Sequence, residues 1–225
     1  MMRICGMTLE IKAGPVSANL IEQDDWICLS NRPSIPYEVE SLVKWAEICA
    51  VGGTAIDVGA YTGLFSIIAA KQGCRVIAFE PMPTHIARCW DNFRLNNVEV
   101  ELYNACVSDA VGEAVINFNP NAPYLTYGAS LMRSTCGAGN ETKPLNVHSM
   151  TIDSLGLDQC TAIKIDVERG EPMVLAGARN TLERLKPVLI VEVIGEEEKA
   201  AVRTAVPDYD VAAEMDGWNW LMLPK

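Results

Sequence analysis

Four short runs, Thr54–Val58, Arg75–Phe79, Ala162–Val167 and Pro187–Val193, are largely apolar without strict alternation, and nothing else in the chain limits its fold as tightly. A strand that is apolar on both faces must be covered on both faces, which is the situation of parallel sheets flanked by helices. The intervening segments supply those helices. Val39, Leu42, Val43, Ala46 and Cys49 recur at helical spacing and end at Gly52-Gly53, and a helix-like stretch runs from Gly63 to Lys71. Ile86, Cys89, Trp90 and Phe93 mark one face of the next helix, and Val174, Leu175, Ala178, Leu182 and Leu185 mark a later one. Strand and helix alternate, so the expected architecture is α/β with a mostly parallel sheet and helices on both faces.

The ends and the middle depart from this rhythm. Val98, Val100 and Leu102 alternate with Glu99 and Glu101 in a third strand, and Asp109 to Gly112 turns the chain into a hairpin-like excursion at Glu113–Phe118. Residues 119–146 open with a stretch rich in Asn, Pro, Gly and Ser that has no period, which predicts a long loop. Loops of that length in compact domains are usually functional or mobile, and Tyr124, Tyr127, Met132 and Arg133 fit two roles, closing over a substrate or merely packing the loop on the sheet. Tyr209 to Ala213 and Trp218 to Leu223, joined across Asp216-Gly217, predict a C-terminal antiparallel hairpin at the sheet edge.

At 225 residues the chain suffices for one well-buried domain, taken as 1–225, in which residues 1–36, with Pro33, Pro36 and Tyr37 at the boundary, are expected to help shape a substrate pocket. The formal net charge of −11 argues against an extended nucleic-acid surface, which needs clustered Lys and Arg, and favours a small or saccharide partner. No apolar stretch approaches the ~20 residues that span a bilayer, and the first residues lack a secretory pattern, so no membrane partner and a cytoplasmic location are expected. The eight cysteines lie far apart with no C-x-x-C pair and read as buried free thiols.

Ligands of open parallel sheets bind outside the carboxyl ends of the strands. The polar residues that close strands here are Asp57, Glu80, the Asn104–Asp109 stretch, Asp166 and Glu192. Gly59 and Gly63 permit a tight turn and close backbone approach after the first of these strands. Glu80, about twenty residues on, sits where a carboxylate can accept both hydroxyl protons of a ribose. A nicotinamide dinucleotide is the rival ligand, but its fingerprint is G-x-G-x-x-G, and Gly59-Ala60-Tyr61-Thr62-Gly63 puts Tyr61 where the second glycine would stand.

These motifs resemble the FkbM family of class I methyltransferases that use S-adenosylmethionine. The likeness covers nearly the whole chain and rests on the block Ile56 to Gly63, on Phe79-Glu80-Pro81, on Asn104 to Asp109 and on Val174 to Ala178. It is strongest in Ile163-Lys164-Ile165-Asp166-Val167-Glu168-Arg169-Gly170-Glu171, and it continues through Pro187 to Glu192. The resemblance implies a single Rossmann-like domain with a seven-stranded sheet, and a cofactor held by Asp57, Gly59, Ala60, Tyr61, Thr62, Gly63, Glu80, Pro81, Ser108, Asp109 and Asp166. It further implies methyl transfer to a hydroxyl oxygen of a small molecule, sugar or natural product. The family more often has glycine where this chain has Arg169.

A hydroxyl acceptor must lose a proton, and Asp166, which closes the fourth strand, is the first candidate to take it. Glu168 and His148 are the further catalytic candidates. Asp166, Glu168 and Glu192 could instead gather a hard divalent cation, which takes oxygen ligands; the reading without a metal is preferred. Lys164, inside a strand, needs a carboxylate partner such as Glu168 or Glu192. Trp218 and Trp220 alternate on the last strand, where core packing is preferred to carbohydrate stacking. Two other functions compete: an RNA methyltransferase, which should present a basic track, and a cofactor-binding protein without turnover, against which intact Asp166 and Glu168 weigh.

Overall fold

The computed structural model describes residues 7–30, 38–121, 125, 129–131 and 142–225. Tyr37 and its neighbours Pro33 and Pro36, together with Tyr124, Tyr127, Met132 and Arg133, lie outside the described residues, as do Cys5 and Cys136. In chain order the elements are β1 (Thr8–Ala13), β2 (Val16–Ile21), α1 (Trp26–Ser30), α2 (Val39–Cys49), β3 (Thr54–Val58), α3 (Leu64–Lys71), β4 (Arg75–Phe79) and α4 (Pro83–Asn96). There follow β5 (Glu101–Tyr103), β6 (Cys106–Val107), β7 (Gly112–Phe118), β8 (Lys143–Met150), β9 (Ala162–Ile165), α5 (Glu171–Ala176) and α6 (Arg179–Leu185). The chain closes with β10 (Val188–Glu192), α7 (Glu196–Ala205), β11 (Tyr209–Met215) and β12 (Asn219–Pro224).

The central sheet has seven strands in the order β11-β12-β10-β9-β3-β4-β5. β3, β4, β5, β9 and β10 run parallel, and β12 is antiparallel to both β10 and β11. This is the doubly wound, Rossmann-like layout that the alternating strands and helices predict. Alternation of side chains divides the core in two. Ala55, Ala78, Ala162 and Ile190 face the layer containing α2 and α3, while Ile56, Ile77, Ile163 and Leu189 face Val174, Leu182 and Val202 on the other side. The small alanines on the first face let Trp45 of α2 and Phe65 of α3 sit close to the sheet, where the Trp45 indole N–H donates to the Phe65 carbonyl (2.9 Å).

The C-terminal hairpin forms as its Asp-Gly turn predicts, with Asp216 and Gly217 both at positive φ (52° and 86°). It is the second strand, β12, that inserts next to β10, leaving β11 at the edge. Trp220 is core, whereas Trp218, which precedes β12, is exposed. Other expectations need correction. The third strand begins at Glu101 rather than Val98. The helix expected across Val174–Leu185 is two helices, broken where the Gly177 backbone lies directly against the Ser108 carbonyl. On α4 the buried face carries His85, Cys89, Asn92 and Phe93, and Trp90 points outward. Asn92 earns its burial by hydrogen bonding: its amide donates to Thr62 O (2.8 Å) and its carbonyl accepts from Ile21 N (3.0 Å).

Two pieces were not expected. β1 and β2 form an antiparallel hairpin, and β8 pairs antiparallel to β7 and parallel to β6 in a separate three-stranded sheet. The order lost after Asn119 thus returns at Lys143 rather than at Ala162. β1 alternates Leu9, Ile11 and Ala13 with exposed Thr8, Glu10 and Lys12, a period-two signal that sequence reasoning missed, whereas in β8 only Leu145 and Val147 mark the inner face before Ser149. The six described cysteines are free and buried. No helix among the described residues is long and apolar enough to cross a membrane.

Candidate active site

The carboxyl ends of β3, β4, β9 and β10, together with β6, surround one cavity of about 260 Å³. Gly59, Tyr61, Glu80, Pro81, Asp166, Glu168 and Glu192 all line it, so seven predicted residues converge from four separate strand ends. The apolar side is supplied by Phe79, Cys106, Val107 and Ile116. Trp26, Ile27, Glu38 and Trp218 close the opposite side, and Ala129 and Leu131 of the long loop also reach it.

The glycine loop is shaped more by its neighbours than by open space. Gly59 has φ +84°, and a Cβ there would lie 1.8 Å from the Asp166 carbonyl oxygen. At Gly63, φ +89°, a Cβ would lie 2.5 Å from the Phe93 ring. These two glycines therefore let β3 and β9 leave the sheet in contact and let α3 pack against α4. Tyr61 also has positive φ (52°), and its amide donates to Glu80 Oε2 (2.9 Å). Its hydroxyl accepts from Trp26 N (3.2 Å) and donates to Leu125 O (3.1 Å), which ties the glycine loop to α1 and to the long loop.

Glu80 is buried and much of its capacity is taken. Besides Tyr61 N, its carboxylate accepts from Met82 N (2.8 Å) and faces His85 Nδ1 (3.0 Å), both at Oε1. A carboxylate offers about four acceptor sites. Three are filled, which leaves one for a ribose hydroxyl rather than two. Asn104 holds this corner by donating to the carbonyls of Glu80 (3.0 Å) and Pro81 (2.9 Å).

On the acid side, Lys164 is buried and its Nζ lies 2.6 Å from Asp166 Oδ2. The predicted partners Glu168 and Glu192 are corrected to Asp166, two residues along the same strand face. Burial pushes the Lys164 ammonium down, but Asp166, Glu38 and Asp57 together outweigh it, and the group titrates above its ordinary value. The Phe65 ring lies 4.5 Å below the ammonium. Glu192 is pushed up to about 11, first by burial and then by Asp166 and Glu168, and so carries a proton at neutral pH. Oxygens of Glu38, Asp166 and Glu192 lie within 4.8 Å of one another, which replaces Glu168 by Glu38 in the acidic trio predicted from sequence.

Not every predicted residue is at the cavity. Asp57 lies inside β3, accepts from Ser66 Oγ (2.6 Å) and is pushed up chiefly by burial; it stands behind the site beside Lys164 rather than in the lining. Ala60, Thr62 and Gly63 are buried within the loop, and Ser108 bonds Ser149 (2.7 Å) beneath an exposed Asp109. His148 is corrected: on β8 it pairs opposite Glu113, exposed, in a separate small depression with Pro83 and Asn146. The imidazole at the cavity is His85. Its signal was available in the spacing His85, Cys89, Phe93, the i, i+4 stripe of a buried helix face. Glu38 had no local signal; it is brought in by contacts 176 residues away, where Asp216 accepts from Glu40 N (3.1 Å), Ser41 N (2.9 Å) and Ser41 Oγ (2.6 Å).

The model of the methyltransferase FkbM domain matches residues 57–215. No protein of curated function matches the sequence. Among solved structures, the chain is similar to a methyltransferase FkbM from Methylobacillus flagellatus KT (17% identity, TM-score 0.51, covering 76% of this chain and 43% of that one). It is also similar to the Pyrococcus abyssi tRNA (uracil-54, C5)-methyltransferase in complex with S-adenosyl-L-homocysteine (14%, TM-score 0.52, 96% and 43%). A third is the T. thermophilus 16S rRNA N2 G1207 methyltransferase in complex with AdoMet and guanosine (9%, TM-score 0.52, 97% and 50%). The chain spans half or less of the length of these three proteins, and at such identities they speak for the fold alone.

Proposed function

We propose, from the premise that the chain belongs to the FkbM methyltransferase family, that it binds S-adenosylmethionine at the carboxyl ends of β3 and β4 and methylates a hydroxyl oxygen of an acceptor that is not phosphorylated. The observation that carries the second half is the charge of the cavity. Glu38, Glu80, Asp166 and Glu168 line it beside the raised Glu192 carboxyl, and no lysine or arginine stands among its described lining residues. A phosphate entering such a site would meet carboxylates without a compensating cation, which disfavours nucleic acid and favours a neutral or cationic small molecule or saccharide.

The residues present fit the cofactor. Glu80 retains an acceptor site for a ribose hydroxyl, the apolar walls Phe79, Val107 and Ile116 suit a purine, and the acidic side suits a sulfonium. They fit a dinucleotide poorly. The Tyr61 amide, which would have to approach a pyrophosphate, donates to Glu80 instead. When bound, S-adenosylmethionine supplies an electrophilic methyl group. The chain's part is to place an acceptor oxygen about 3 Å from that carbon and to remove the proton. Asp166 has one oxygen engaged by Lys164, and the other is assigned to the acceptor hydroxyl as general base. Protonated Glu192 is a donor beside it, able to orient the acceptor without adding charge.

Calorimetry with S-adenosylmethionine, S-adenosylhomocysteine and NAD tests this reading. The first two should bind and NAD should not, and Glu80→Ala should weaken the nucleoside ligands by roughly 10- to 100-fold, the loss of a charge-assisted hydrogen bond. Glu80→Gln, which keeps the shape of the corner, should fall between. Preference for NAD overturns the assignment.

A further inference from the structure

Behind the cavity the loops leaving β9 and β10 are each tied back by a glutamate. Glu171, the first residue of α5 and completely buried, accepts from Val167 N at Oε1 (2.9 Å). Glu198, in the first turn of α7, accepts from Ile194 N at Oε2 (2.6 Å). Val167 sits between Asp166 and Glu168, and Ile194 follows Glu192 by two residues, so these bonds fix the backbone that presents the acidic side of the cavity.

The remaining oxygens, Glu171 Oε2 and Glu198 Oε1, are buried and receive no N–H or O–H from any described residue. α5 and α7, which carry them, pack against each other, and the two carboxyl groups act directly on one another. Two carboxylate oxygens are both acceptors and repel unless a proton stands between them. Among the described residues no salt bridge joins either glutamate to a cation. Glu192 on β10 and Asp166 and Glu168 on the loop before α5 are acids, Lys164 is engaged with Asp166, and Lys199 of α7 is shared between Glu196 (3.5 Å) and Glu214 (3.6 Å).

We propose that Glu171 and Glu198 share one proton, and that this shared proton locks the two loops carrying Asp166, Glu168 and Glu192 into their relative positions. Both are positioning residues, since neither lines the cavity. Burial first, and Glu198 second, push the Glu171 carboxyl up to about 9, in keeping with a proton retained at neutral pH. The sign of the linkage follows. A carboxyl held protonated in the fold contributes fully below its unfolded value of 4.5 and loses that contribution as pH rises to about 9, because the unfolded chain releases the proton first. Within that window the folding constant should fall by up to about tenfold per pH unit on account of this pair.

The test is thermal and urea unfolding of the whole chain between pH 5 and 10, wild type against Glu198→Gln, with Glu171→Gln as a second variant should the first not fold. A glutamine amide donates without needing a proton. The wild-type folding constant should therefore fall relative to that of the glutamine variant by at least about tenfold between pH 5.5 and pH 8.5. Glu198→Ala, which removes the partner, should destabilise throughout. Parallel profiles for wild type and glutamine variant overturn the lock. A second measurement rests on the methyltransferase reading: S-adenosylhomocysteine affinity should weaken above about pH 9 in wild type and persist in Glu198→Gln. Should that ligand not bind at any pH, the cofactor assignment fails while the unfolding data still decide the lock.

Discussion

Replacing Gly59 by alanine separates two costs that usually arrive together. One is conformational: an L-residue forced to a left-handed φ costs about 1–2 kcal/mol. Gly73, at φ +87° with nothing within 4 Å of an added Cβ, measures that cost alone. The other is steric, and only Gly59 bears it. Its Cβ would stand 1.8 Å from the Asp166 carbonyl oxygen, so the strand exit must retreat by more than an ångström. That retreat pulls on the hydrogen bond from Asp166 N to Val58 O (3.0 Å), whose loss in a buried setting costs about 1–3 kcal/mol. Gly59→Ala should therefore cost about 2–5 kcal/mol, a fall of roughly 4–20 °C in Tm for a chain of this length. Gly73→Ala should cost only about 1–2 kcal/mol. Differential scanning calorimetry of the two variants side by side reads the difference. Equal shifts would refute the argument that Gly59 is required by contact with the β9 exit.

Two further substitutions probe the same corner of the molecule. Arg169 is exposed with φ +76°, directly after Glu168 at φ +60°, so Arg169→Gly should relieve strain and raise Tm by about 2–4 °C; a fall would mean that the guanidinium anchors the loop. Lys164→Met should cost about 3–5 kcal/mol, because it leaves Asp166 and the buried Asp57 without their shared cation, and unfolding in urea at pH 7 measures it. No loss of stability in that variant would show that the acids are balanced by protons alone.

The parts of the fold that were legible in the sequence are those whose signal is local. β3, β4, β9 and β10 are continuous apolar runs, and Asp216-Gly217 marks its hairpin through the backbone conformation those residues tolerate. Gly59, Glu80 and Asp166 followed because the ends of such strands are where a parallel sheet binds ligands. What was not legible depends on distant partners. In Lys143–Met150 the strand signal is short, only Leu145 and Val147 alternating with Asn146 and His148 until β7 is beside them, and His148 turned outward because that register sets it opposite Glu113. Lys164 and Asp166 were both singled out, yet their pairing depends on which strand face is buried deeper.

The distribution of these surprises bears on where acceptor choice resides. The matched FkbM region runs from 57 to 215, and the residues held by the strand ends, from Gly59 to Glu192, fall inside it. Trp26, Ile27, Glu38 and Trp218, on the opposite wall of the cavity, fall outside. That wall is assembled across the chain. The Asp216 carboxylate caps the start of α2, Asp216 N donates in return to Glu40 Oε2 (3.1 Å), and the Trp218 indole N–H reaches Glu38 Oε1 (3.4 Å). Reciprocal bonds of this kind fix a side chain's place better than either partner alone could, because each removes freedom the other would otherwise have to order. Methyl transfer needs a fixed cofactor side, whereas selection among acceptors needs a side that can differ without disturbing it. Under the methyltransferase reading, an indole face beside a buried carboxylate is the element of this cavity best placed to distinguish one acceptor from another, and it lies outside the matched region.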